Sequence, residues 1–161
     1  MTMSVEERYN FAQGILGQLG APETAENLEI LLSWMAMENT EAGFNPLATT
    51  YTNRNIPSSN FNDNDPPVQN YETLIAGVIA TGQTLNLEYY DHMVELLREG
   101  STDIATFNAD PLVQAELKTW SGYAEAVEAD PAQGIEAAPL EHLGQVRPVL
   151  DRVVLRGPRA R

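Results

Sequence analysis

Two carboxylates, Glu38 and Glu41, stand where an apolar run gives way to a polar one. Leu28, Leu31, Leu32 and Met35 precede them at helical spacing, and Gly43 and Pro46 break the pattern after them. A carboxyl where a helix meets a cleft-forming loop is partly shielded from water, which disfavours its charged form and raises its pKa. Such a group can hand a proton to a leaving oxygen near neutral pH, which is the acid that glycoside cleavage needs. The competing reading is a pair of solvated helix-end residues. The other polar clusters offer less. With no cysteine and two histidines, His92 and His142, neither a thiolate site nor a His-rich metal site can be built, and neither a metal nor a cofactor is expected. His92 falls on the mixed face of a helix and reads as a hydrogen-bonding residue. Asp63-Asn64-Asp65 carries calcium-type ligands but lacks the glycine and distal glutamate of an EF-hand loop, so it reads as turn carboxylates.

The elements that must position these residues follow from periodicity and punctuation. Ser4-Val5-Glu6-Glu7 is a capping box opening a helix that Gly20 ends. Thr24 caps a second, broadly apolar helix running to about Glu41, the most buried of the set. Residues 42–70 are rich in Asn, Ser, Thr, Asp and Pro and read as one long ordered loop, with a short hairpin expected near Thr49–Tyr51 and Phe61. Tyr71 to about Leu85 reads as a helix whose Gly77 and Gly82 imply close packing against a neighbour. Tyr89–Arg98 is a further helix stopped by Gly100, and Ser101 caps a short turn through Phe107. Asp110-Pro111 opens another helix, with Leu112, Val113, Leu117 and Trp120 facing the core and Tyr123 and Val127 extending it. No strand of any length is expected. The fold class is all-α, roughly six helices around one long polar loop over residues 1–128.

Composition bounds the partners. The chain has 161 residues, enough for one domain with a sizeable core, and 43% of them are hydrophobic. A net charge of −14 argues against nucleic acid and against anionic membranes. No apolar run approaches membrane-spanning length, and the N-terminus lacks the basic start and apolar region of a secretory leader, so no signal peptide is expected. Residues 129–161 differ in kind, with Pro131, Pro139, Pro148 and Pro158 and five of the nine basic residues. Those five arginines face four acids there, leaving this stretch at +1 and residues 1–128 at −15. It reads as an extended C-terminal arm that docks on its own domain or a neighbouring subunit.

Trp34-Met35-Ala36-Met37-Glu38, followed by Asn45-Pro46-Leu47-Ala48-Thr49-Thr50, resembles the lysozyme-like domains of actinobacterial phages, related to goose-type lysozymes and soluble lytic transglycosylases. Such domains occur in endolysins, tape-measure proteins and other virion proteins. The resemblance continues through Asn60-Phe61-Asn62, Val68-Gln69-Asn70-Tyr71, Gly77, Ala80-Thr81, Thr84-Leu85 and Tyr90…Leu97-Arg98-Glu99-Gly100, spanning residues 24–100. It implies a lysozyme-like fold that cleaves the glycan strands of peptidoglycan, with Glu38 as the catalytic acid. In a second register, Glu41-Ala42-Gly43-Phe44-Asn45-Pro46 is similar to the transglycosylase motif, with Ala42 where that motif has serine. Glu38 is preferred, because the Asn-Phe-Asn and Val-Gln-Asn-Tyr segments match the phage domains better. Glu38 and Glu41, three apart, would then share one helix face. Thr49, Thr50, Asn62 and Tyr71 become the substrate-groove residues, although Tyr71 reads equally well as a core aromatic. If two carboxylates are needed, Asp63 or Asp65 would be the base.

The resemblance places the chain in a phage virion or, as an endolysin, in the host cytoplasm and then at the cell wall. The rival reading is a non-enzymatic capsid or tail component that keeps the fold and contacts other virion proteins through residues 129–161. The acidic body favours that rival, since it gains nothing from steering towards an anionic wall. A third reading is a helical interaction domain whose Asn-Pro loop is only a connector.

Overall fold

The structure, a computed structural model, describes residues 3–120. Helix α1 spans Val5–Leu19. Its capping box closes as expected: Glu7 N–H donates to Ser4 Oγ at 3.2 Å and Ser4 N–H donates to Glu7 Oε2 at 2.7 Å. Gly20 ends the helix in the left-handed region at φ 68°. Helix α2 spans Ala25–Glu38, with Thr24 accepting from Asn27 N–H. It stops three residues short of Glu41, because Asn39 turns left-handed (φ 42°) and its N–H closes on the Met35 carbonyl. Helix α3 is Leu74–Leu85, α4 is Asp91–Glu99, α5 is Ile104–Ala109 and α6 is Pro111–Leu117. A single 3-10 turn at Glu88–Tyr90 leads into α4, and Gly100 ends it at φ 71°. Asp110 caps α6 with Pro111 in the first turn, whereas α5 is capped by Asp103 rather than Ser101. The described residues are thus mainly helical, with six α-helices and one small sheet.

That sheet is a short hairpin whose turn begins at Phe61, as expected there, and neither of its strands exceeds three residues. Strands β1 (Ser58–Asn60) and β2 (Gln69–Tyr71) pair antiparallel, with Ser58 opposite Tyr71 and Asn60 opposite Gln69. The hairpin therefore forms further along than Thr49–Tyr51, and Tyr71 belongs to a strand, not to α3, which Thr73 caps. Three residues are too few to display a period against a polar background, so the alternation of buried Gln69 and Tyr71 about half-buried Asn70 escapes a pattern reading. Tyr123, Val127 and the arm at 129–161 lie outside the described residues.

The main core sets Phe11, Ile15, Leu16 and Leu19 of α1 against Leu28, Leu31, Trp34 and Met35 of α2, with Leu85, Met93, Leu97, Phe107 and Leu117 closing it. A smaller cluster of Ile56, Tyr71, Ala76 and Ala80 lies under the loop. Helix α3 meets α1 closely: a Cβ at Gly82 would stand 2.8 Å from the Gln18 Cβ. At Gly77 the neighbour is backbone, since an added Cβ would overlap the Phe44 carbonyl and approach the Phe11 ring at 3.2 Å. The expected close packing at both glycines is present, and at Gly77 it is what lets the loop seat on α3. Gly77→Ala is expected to lower unfolding free energy by about 2–3 kcal/mol in urea titrations, because backbone cannot step aside. Gly17→Ala, where no atom lies within 4 Å, is expected to add up to about 1 kcal/mol through helix propensity.

Candidate active site

The loop after α2 is organised by one side chain. Asn45 is fully buried; its Nδ2 donates to the Thr49 carbonyl at 2.8 Å and the Gln69 carbonyl at 2.7 Å. Its Oδ1 accepts from Thr49 N–H at 2.9 Å. The segment is then stitched along β2: Tyr71 N–H donates to the Gly43 carbonyl, Gly43 N–H to Asn70 Oδ1, and Gln69 N–H to the Thr49 carbonyl. Phe44 and Ala48 adopt positive φ (47° and 55°), a conformation that costs non-glycine residues about 1–2 kcal/mol each and persists only when the surroundings impose it.

Glu38, the last residue of α2, is half-buried. Burial pushes its carboxyl up to about 8, opposed by a weaker contribution from the Trp34 indole N–H, which donates to Oε1 at 3.3 Å. The C-terminal end of a helix carries partial negative charge and acts in the same direction as burial. Glu38 is therefore mostly protonated at neutral pH, as a proton donor must be. Glu41 lies beyond the helix end and is exposed, so the two carboxylates do not share a helix face.

Beside this end of the molecule runs a groove of about 470 Å³. Thr49, Thr50 and Thr84 form part of its wall, Asp65 and Asn64 a polar rim, and Tyr90 and Trp120 an aromatic side. Thr49 Oγ1 and Thr84 Oγ1 lie 3.0 Å apart, within hydrogen-bonding reach. Glu38 does not line the groove; it is linked to it through two indoles. The Trp120 ring packs edge-on to Trp34 at 4.8 Å between centroids, and Trp34 holds the carboxyl.

Of the residues expected at the groove, Thr49 and Thr50 line it. Asn62 does not: its Oδ1 accepts from Val68 N–H at 3.0 Å and organises the turn before β2. Tyr71 is 2% exposed and donates its hydroxyl to the Tyr51 carbonyl at 2.7 Å, so the core-aromatic reading is the correct one. Burial raises its phenol further above the ordinary range. Between the two loop aspartates, the groove includes Asp65 and not Asp63. Tyr90 and Trp120 are not among the residues expected at the groove. They are buried, yet each also presents a surface to the groove, which apolar spacing alone cannot signal. His92 behaves as expected, with Nε2 3.0 Å from Asp110 Oδ2, and its hydrogen bond holds the Asp110 carboxyl below the usual range. Among the described residues, no group of His, Cys, Asp or Glu could hold a metal ion.

Comparison with protein-family models, with curated proteins and with solved structures returns no significant match to this chain.

Two outcomes are expected from this geometry. Asn45→Ala strands the Thr49 and Gln69 backbone groups and should cost about 2–4 kcal/mol in chemical unfolding. For Glu38, the unfolded carboxyl releases its proton near 4.5 while the folded one keeps it to about 8. Between those values the folded state binds more protons, so the contribution is destabilising and grows as pH rises through the window. Glu38→Gln should therefore gain on the wild type by about 1–2 kcal/mol between pH 5 and pH 8, discounted for partial exposure and read from parallel urea titrations.

Proposed function

We propose that this chain has a lysozyme-like fold and cleaves the β-1,4-linked glycan strands of peptidoglycan, with Glu38 as the proton donor. The observation that carries the proposal is the half-buried Glu38 carboxyl at the end of α2, raised to about 8 and held by Trp34. In its protonated form it donates to the glycosidic oxygen as the bond to the anomeric carbon breaks. As the resulting carboxylate it takes a proton from water, or from the sugar's own 6-hydroxyl, as that oxygen attacks. The groove beside it combines ring surface, from Tyr90 and Trp120, with hydroxyl, amide and carboxylate groups from Thr49, Thr50, Asn64 and Asp65. This mixture suits a sugar, whose C–H face packs on aromatic rings while its hydroxyls hydrogen-bond around the rim. Where an inverting reaction needs a second carboxylate, Asp65 is better placed than Asp63.

A non-enzymatic virion component, docking to capsid or tail proteins through residues 129–161, is the second reading. It is favoured by the absence of Glu38 from the groove wall and by the wholly structural use of Asn45 and Tyr71. Turbidity clearing of purified cell walls separates the two. Wild-type protein is expected to clear walls at a rate that is level below about pH 8 and falls tenfold per pH unit above it, as the acid loses its proton. Glu38→Gln should lower the rate by about 10²–10³-fold with the fold retained, and Glu41→Gln by less than about twofold. A wild-type protein that clears nothing between pH 5 and 9 would leave the virion reading in possession.

A further inference from the structure

Trp120 lies beyond the stretch that resembles the phage domains and beyond the end of α6, yet several contacts fix it. It is 5% exposed, its Nε1 donates to the Leu47 carbonyl at 2.6 Å, and its N–H closes on the Leu117 carbonyl at 3.0 Å. Its ring stands edge-on to Trp34 (4.8 Å, 70°) and to Tyr90 (5.3 Å, 64°). Helix α6, which delivers it, is itself pinned: Glu116 accepts from His92 N–H and Met93 N–H, both at 2.8 Å, and Asp110 caps its first turn. One neighbour of Trp120 is thus a groove residue, Tyr90, and the other is the donor to Glu38.

We infer that Trp120 is the positioning residue for Glu38, setting the Trp34 indole on the carboxyl and transmitting occupancy of the groove to it. The inference rests on the reading of Glu38 as the working acid. The Trp34–Glu38 hydrogen bond, at 3.3 Å, is already at the long end of the range. A small rotation of Trp34 would break it, so the bond depends on what bounds that ring. Burial and the Trp34 bond are the influences identified on this carboxyl, and Trp120 packs on the residue that supplies the second. Trp120 also borders the groove, so the indole that bounds Trp34 is in reach of whatever fills it. Binding and acidity are coupled through two aromatic edges.

The test is an NMR titration of the full chain, following the Glu38 side-chain carboxyl carbon and the indole N–H signals from pH 5 to 10. In the wild type the Trp120 indole signal is expected to shift with the same midpoint as Glu38, whatever that midpoint is, and to lose the shift in Glu38→Gln. Trp120→Leu, which removes the ring edge that bounds Trp34 and so releases the indole from the carboxyl, should raise the Glu38 midpoint by about one pH unit, because that hydrogen bond favours the charged form. Trp120→Phe keeps a ring edge and should stay within about half a unit of the wild type. A Trp120 indole signal that stays flat while Glu38 titrates overturns the inference, as does a folded Trp120→Leu with an unmoved midpoint. If Trp120→Leu fails to fold, the wild-type indole titration decides alone. None of these readouts needs wall-clearing activity, so the coupling can fail while the acid assignment stands, and the reverse.

Discussion

The satisfaction of the Asn45 carboxamide is the constraint on which the rest depends. A polar loop laid on a helical core must find partners for the backbone groups it buries. Asn45 supplies three hydrogen bonds from one fully buried side chain and joins the Thr49 turn to strand β2. With that turn fixed, Leu47 is driven into the core and its carbonyl becomes the acceptor for Trp120. The unfavourable backbone at Phe44 and Ala48 persists because the carboxamide and the β2 contacts together leave the segment no relaxed alternative. Gly77 completes the arrangement, since only a residue without Cβ lets the Phe44 carbonyl approach α3 so closely.

The placement of Glu38 follows from where α2 stops. Asn39 in the left-handed region ends the helix one residue after the carboxylate, so Glu38 keeps helical geometry relative to Trp34, one turn earlier. Trp34 is 1% exposed, and a carboxyl drawn back over it loses water on that side. Three residues later, outside the helix, Glu41 has no such shelter. The end of α2 thus separates a half-buried carboxyl from an exposed one.

The helical part of this design was legible wherever it rests on local chemistry. The Ser4 capping box, the Thr24 and Asp110 caps, Pro111 in the first turn of α6 and the Gly20 and Gly100 stops all name themselves, because each satisfies a helix end within a few residues. The preference for Glu38 over Glu41 came from a resemblance; burial, which separates them physically, was only anticipated for a helix end. What escaped depends on long-range partners. The register of β1 on β2, the bond of the Tyr71 hydroxyl to the Tyr51 carbonyl and the contact of Trp120 with Leu47, seventy-three positions apart, leave no periodic trace. The position of Asn62 off the groove wall is hidden for a related reason, since an asparagine that stitches a turn and one that greets a ligand are the same letter in the same polar surroundings.

The central claim is that the Glu38 carboxyl protonates a glycosidic oxygen, and the products of digestion test it most directly. Purified peptidoglycan incubated with the full chain at pH 6, then analysed by mass spectrometry, should release muropeptides with wild type and none above background with Glu38→Gln. Reducing ends would assign attack by water and anhydro ends attack by the sugar's 6-hydroxyl. Intact glycan after prolonged incubation with folded wild-type protein, or equal release by wild type and Glu38→Gln, would contradict the account.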